Sequence, residues 1–199
     1  MSHYLHLALH GLKELSEMII SDNQLEAVEK TIKGCAITAA ITGVGAGMLP
    51  GTGGVIATAA SVGAIWGMYV AINEKLGISI SSNLLKSLAS AILTNLLATG
   101  GSLLLLFAAT KILQWIPGIH IAATAIDAMI IYISVFASGV LYIRLLTDIF
   151  KAKGSFDISK DEIKTVAKDI VANADVKGII KEGKEAYMKD KKEGKLDTE

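Results

Sequence analysis

Leu5, Ala8, Leu12, Leu15 and Ile19 recur at steps of three and four, the spacing that lines one face of an amphipathic helix, so the chain starts with a surface helix. Ser21-Asp22 then supplies a cap, with Gln24 three residues after Ser21 as a loose capping box. The helix so started carries Glu26, Glu29, Lys30 and Lys33 and runs on into a different kind of sequence. From Gly34 to Asn73 there are 40 consecutive residues without Asp, Glu, Lys or Arg, and Ser87 to Thr110 forms a second such run of 24. A helix surface facing water does not ordinarily go so long without charge.

The only two prolines, Pro50 and Pro117, each stand in the same phrase, Leu49-Pro50-Gly51 and Ile116-Pro117-Gly118. Proline followed by glycine is a strong turn signal, so Pro50-Gly51 and Pro117-Gly118 read as the tips of two helical hairpins. Ile56-Ala57-Thr58-Ala59-Ala60-Ser61 returns as Ala122-Ala123-Thr124-Ala125-Ile126-Asp127, a degenerate internal duplication at a separation of 66 residues. The arms fall at 34–49, 52–74, 84–116 and 119–150. A bilayer span takes about 20 apolar residues, which the last three arms supply, whereas the first reaches it only if it begins near Thr31. The first hairpin is therefore expected to be re-entrant or interfacial, and Gly100-Gly101 is expected to kink or break the third arm.

Beyond Phe150 the composition changes. Ser159 and Glu162 form a capping box for a helix to about Ala174, with Ile163, Val166, Ala167 and Ile170 on its apolar side. Lys184 to Glu199 is charged and without strong apolar periodicity, which predicts a frayed helix or solvated tail. The whole reads as an all-α, membrane-interacting bundle: amphipathic N-terminal helices over 1–33, a hydrophobic double hairpin over 34–150, and a charged C-terminal helix and tail over 151–199.

Composition agrees with this pattern. The chain is 52% hydrophobic, with a mean hydropathy of +0.51, and the apolar excess is concentrated in the centre. The formal net charge is zero, with no basic stripe among aromatics, which gives no footprint for nucleic acid. Cys35 is the single cysteine, so one chain holds neither a disulfide nor a thiolate metal cluster. The N-terminus lacks the basic start, apolar core and cleavage site of a signal peptide, so insertion would be directed by the internal segments. Lys30, Lys33, Lys75, Lys86, Arg144, Lys151 and Lys153 flank the hairpins away from the tips, which by the positive-inside rule makes both termini and the middle connection cytoplasmic.

Candidate chemistry is sparse. Gly43, Gly47 and Gly51, and Gly63 and Gly67, are spaced by four, a pattern that lets helix backbones approach closely in lipid and implies self-association; a tightly packed soluble helix pair is the alternative. Gly43-x-Gly45-x-Gly47 lacks the strand and the Lys-Ser/Thr ending of a phosphate loop. Asp127 lies ten residues past Pro117, about 15 Å along the helix, and Lys111 on the facing arm is its nearest counter-charge, with Asn95 and Asn73 as further polar groups. A structural pair is one reading of Asp127 and a lined ion or substrate path is the other. His3, His6 and His10 share a face without a Glu or Cys to complete a metal shell and read as a solvated stripe. No catalytic constellation with a supporting loop is present, so neither an enzyme nor a cofactor is expected.

The run from Gly47 to Phe150, with its Leu-Pro-Gly-Thr-Gly-Gly tip, the connection from Asn73 to Ile80 and the second tip Trp115-Ile116-Pro117-Gly118, resembles the bacterial domain of unknown function 697. That resemblance implies an inner-membrane module acting with a small GTPase, which this chain would have to meet in trans. The first tip carries Gly53 and Gly54 where the family tends to have a second proline and an Asp, so no role of that Asp carries over. Three expectations follow: a non-enzymatic membrane scaffold that oligomerises through glycine faces and docks a cytoplasmic partner, a pore whose path Asp127 lines, or a soluble helical interaction domain.

Overall fold

The computed structural model describes residues 3–15, 20–46, 53–112, 119–156 and 158–196. These residues form seven helices and no strand: α1 (His3–Leu15), α2 (Asp22–Ala46), α3 (Gly53–Leu76), α4 (Ser82–Ile112), α5 (Ile119–Lys153), α6 (Ile163–Ala172) and α7 (Val176–Lys192). The four long helices contain most of the four hydrophobic arms. The phrases holding Pro50, Gly51, Pro117 and Gly118 lie outside the described residues, as does Gly47.

Local chemistry explains where the helices start and stop. The Ser21 hydroxyl accepts from the Gln24 N–H at 3.3 Å while the Gln24 amide oxygen accepts from the Ser21 N–H at 2.9 Å, so the expected capping box is closed in both directions. Helix α3 ends on Gly77 at φ +67°, and the next N–H, of Ile78, returns to the Asn73 carbonyl at 2.9 Å. Only glycine takes that left-handed conformation without strain, so it closes the helix and frees the short link to α4. The link turns the chain back. The Gln24 side-chain amide donates to the Lys75 carbonyl, tying the start of α2 to the end of α3, so these two run antiparallel.

Helix α5 is the axis of the molecule. It packs on α2, α1, α4, α7, α3 and α6. Val140 to Ile143, Leu145 and Leu146 show no exposed surface, as expected of a helix that is apolar all round and enclosed on every side. Each such side chain contributes about 1.5–3 kcal/mol through burial. Close approach is set at Gly139, where an added Cβ would meet Ile32 of α2 at 2.8 Å and Met68 of α3 at 3.2 Å, so three helices converge at one missing side chain.

Three of the local expectations change. Gly100-Gly101 does not break α4, which is continuous; a Cβ at Gly100 would meet Ile180 of α7 at 2.5 Å, so this glycine accommodates a packed neighbour. Helix α6 begins at Ile163, one turn after Ser159, because the Glu162 carboxylate takes both the N–H and the hydroxyl of Ser159 and holds residues 160–162 in a turn. The predicted tail is a correction: Lys184 to Lys192 belongs to α7. Ile179, Ile180, Gly183 and Tyr187 form a buried stripe at helical spacing, and Glu182 and Asp190, which read as solvent charges in sequence, are buried beside it with partners.

Candidate functional site

Among the described residues, no hydrogen bond joins Asp127, Asn95 and Asn73 to one another. Asp127 is half-buried on α5, Asn95 is half-buried on α4 and donates its amide to the Ala91 carbonyl at 2.8 Å, and the Lys111 side chain lies outside what is described. Asn73 is 4% exposed and sits at the other end of the bundle, where its amide oxygen accepts from the Tyr142 hydroxyl at 2.7 Å. Tyr142 and Asp127 are 15 residues apart on α5, about 22 Å along the axis.

Instead, the interior is organised around a polar cluster that the sequence reading missed. Tyr69 and Tyr142 stack with ring centroids 3.9 Å apart, and the Tyr69 hydroxyl donates to the Ser138 carbonyl at 3.1 Å. Asn73 Nδ2 and Ser138 Oγ are buried and unpartnered among the described residues. The signal was present as two polar pairs at i, i+4, Tyr69 with Asn73 on α3 and Ser138 with Tyr142 on α5, each on one helix face. The cluster ties α3 to α5 by directional contacts.

Helices α1, α6 and α7 sheathe one half of this core. The Glu182 carboxylate of α7 accepts from the backbone N–H groups of Tyr4 at 2.7 Å and Leu5 at 3.2 Å, using a buried anion to satisfy the free donors of the α1 N-terminus. The Tyr4 hydroxyl bonds the Asp175 carboxylate, which pushes the phenol pKa up and holds the carboxyl below its usual range. On the far side the Tyr132 hydroxyl donates to Asp190 at 2.5 Å, and Tyr132 meets Tyr187 edge-on. A Cβ at Gly183 would meet Phe136 and Ile133 at 3.2 and 3.3 Å. Helix α7 is thus a belt that crosses α4 at Gly100 and α5 at Tyr132 to Phe136.

On the tip side of that belt α4 continues 12 residues to Ile112, and α5 begins 13 residues before Tyr132, about 18 and 20 Å of helix. The sequence from Gly101 to Ile126 holds one Asp, Glu, Lys or Arg, Lys111. Ile32, Gly139 and Met68 share a level, so α2 and α3 extend past the belt by about seven or eight residues, roughly 10–12 Å.

The glycine stripes divide. Gly43 lies in α2 and Gly51 outside the described residues. Gly63 and Gly67 are exposed on α3, and an added Cβ at either would meet nothing within 4 Å. His3, His6 and His10 are exposed, with His10 Nδ1 3.3 Å from Glu14, and no group of three or more His, Cys, Asp or Glu suited to a metal occurs among the described residues. Within the same residues one helical segment, Asp127–Lys153, is long and apolar enough to cross a membrane, with a mean hydropathy of 2.0, and 89% of that window is buried inside the molecule. Comparison with known proteins finds no matching family model, curated protein or solved structure.

Proposed function

We propose that this protein is a non-enzymatic membrane-associated scaffold whose sheathed base lies in the cytoplasm and whose hairpin ends enter the bilayer. The observation that carries this reading is the division of α4 and α5 at the α7 belt. On one side the apolar core is covered by amphipathic helices of the same chain; on the other about 18–20 Å of each helix continues with only two strong charges between them, Lys111 and Asp127. That length is more than half of the roughly 30 Å hydrocarbon core and less than all of it. Insertion from one face fits it better than a full crossing, and sheathing of Asp127–Lys153 by charged helices argues against this segment meeting lipid.

The unequal overhangs give the hairpins different tasks, the second anchoring and the first packing beside it. Gly63 and Gly67, outward-facing with open space, support self-association through α3. The resemblance drawn from the sequence supports a small GTPase as the partner met by the base, and the basic residues at that base support a cytoplasmic orientation in the bacterial inner membrane.

The soluble helical interaction domain is the second reading, favoured by the burial of the one membrane-length segment. Carbonate washing of membranes from cells producing the protein separates the two. Retention in the washed pellet is expected, and complete release into the supernatant would overturn the membrane reading.

A further inference from the structure

An open groove lies on the base, along the seam of α4 and α6, with a volume of about 1220 Å³. Its floor is apolar, from Leu84 and Ala91 on one wall and Ile158 and Ile163 on the other. Its rim is cationic. Lys160, in the turn before α6, and Lys164 and Lys168, on α6, follow one another at steps of four in sequence, and Lys86 stands on the α4 wall.

No carboxylate lines this groove, and among the described residues none of these four lysines has an ion-pair partner. Asp161 and Asp169 adjoin Lys160 and Lys168 in sequence but do not line the groove, and Glu162 is committed elsewhere. It is paired with Lys153 at 2.8 Å and takes both polar hydrogens of Ser159, which hold its carboxyl at about 2. Three of the groove's hydroxyls are committed: Ser87 donates to the Asn83 carbonyl at 3.0 Å, Thr94 to the Ser90 carbonyl at 2.8 Å and Ser159 to the Glu162 carboxylate at 2.6 Å. The ammonium groups are the charged donors of this lining, and their counterpart is a row of carboxylates.

The direction of the seam decides between a lipid surface and an elongated ligand. It runs along α4 from Asn95 to Ser81, from 5 to 19 residues away from Gly100 at the belt, about 8 to 28 Å. A bilayer surface at the belt has a headgroup zone only about 5–8 Å deep, so it could reach the Lys168 end and not the rest. A rod lying in the seam meets all four. We infer that the α4–α6 groove is a docking site for an acidic amphipathic helix of a partner protein, its apolar stripe on Leu84, Ala91 and Ile163 and its carboxylates, spaced by four, against Lys160, Lys164 and Lys168. This inference rests on the partner-docking part of the proposed function and names where that docking occurs.

The probe is a synthetic 16-residue helical peptide with Glu at every fourth position beside a Leu stripe, labelled for fluorescence anisotropy and titrated with detergent-solubilised full-length protein. Saturable binding is expected, weakened on the order of tenfold by the combined Lys160→Glu, Lys164→Glu and Lys168→Glu substitutions, with a peptide carrying Lys in place of Glu binding that variant better than the parent. The swap guards against misreading a folding defect, since a misfolded variant would not gain a new ligand. Equal affinity of the acidic peptide for both proteins overturns the inference. So does an outcome in which the peptide fails to bind while vesicles containing phosphatidylserine bind the parent and lose the variant, which would assign the lysines to lipid headgroups. Release from carbonate-washed membranes with peptide binding intact would remove the membrane reading and leave this groove standing.

Discussion

At the scale of single residues, charges here act by what they cap. Glu182 illustrates why: a carboxylate in a run of lysines reads as solvated, yet it is 9% exposed and satisfies two backbone donors of a helix nearly the whole chain length away. No local pattern encodes a partner so distant in sequence. Glu162 was legible because its partner Ser159 is three residues away, as the capping-box spacing requires. Its carboxyl is lowered to about 2 from 4.5, first by Lys153 and then by Ser159. A depressed folded-state value means the stabilisation is complete above the unfolded value and is lost as pH falls from about 4.5 towards 2. Urea denaturation between pH 6 and pH 2.5 should therefore show Glu162→Gln losing most of its deficit relative to the parent at the acid end. A deficit that stays constant with pH would mean that the box acts through shape alone.

At the scale of elements, the four long helices were legible because a long apolar run with few charges is a coarse signal that survives errors of a few residues. Helix α7 was not, since its buried stripe is interrupted by Gly183 and flanked by Glu182 and Asp190, whose pairing depends on the finished fold. The glycines show a related limit. Spacing singled out Gly63 and Gly67 as a packing face but could not say for which partner, and it missed Gly139, where α2, α3 and α5 of this chain converge. Their substitutions should separate. Gly63→Ala and Gly67→Ala add no clash within the chain and should each raise monomer stability by up to about 0.8–1 kcal/mol, as alanine replaces glycine in a helix, while shifting sedimentation toward the monomer. Gly139→Leu forces Ile32 and Met68 apart and should cost about 1–3 kcal/mol in a urea titration. If the Gly63 and Gly67 variants self-associate like the parent, α3 is not the oligomer face.

At the scale of the whole molecule, the hydrophobic middle is best understood as two regions with different solvents. The chain encloses its most apolar helix with its own termini, so hydropathy alone overstates how much of α5 is available to lipid. Trp66 lies on the described base and Trp115 in the second tip phrase, outside the described residues, so the two can report separately. Trp66 is on α3, 37% exposed and two residues before Met68, which is level with Gly139; Trp115 belongs to the second tip phrase. In Trp66→Phe protein, Trp115 emission should shift to the blue on adding vesicles and be quenched by lipids brominated along the acyl chain. In Trp115→Phe protein, Trp66 should respond little to either, because the base that carries it remains in water. Strong acyl-chain quenching of Trp66 would show that the sheathed half opens to admit α3 to the bilayer, and the belt formed by α7 would then be a closed state that insertion releases. An unchanged Trp115 spectrum with vesicles present would instead leave the second tip in water and remove the basis for one-sided insertion.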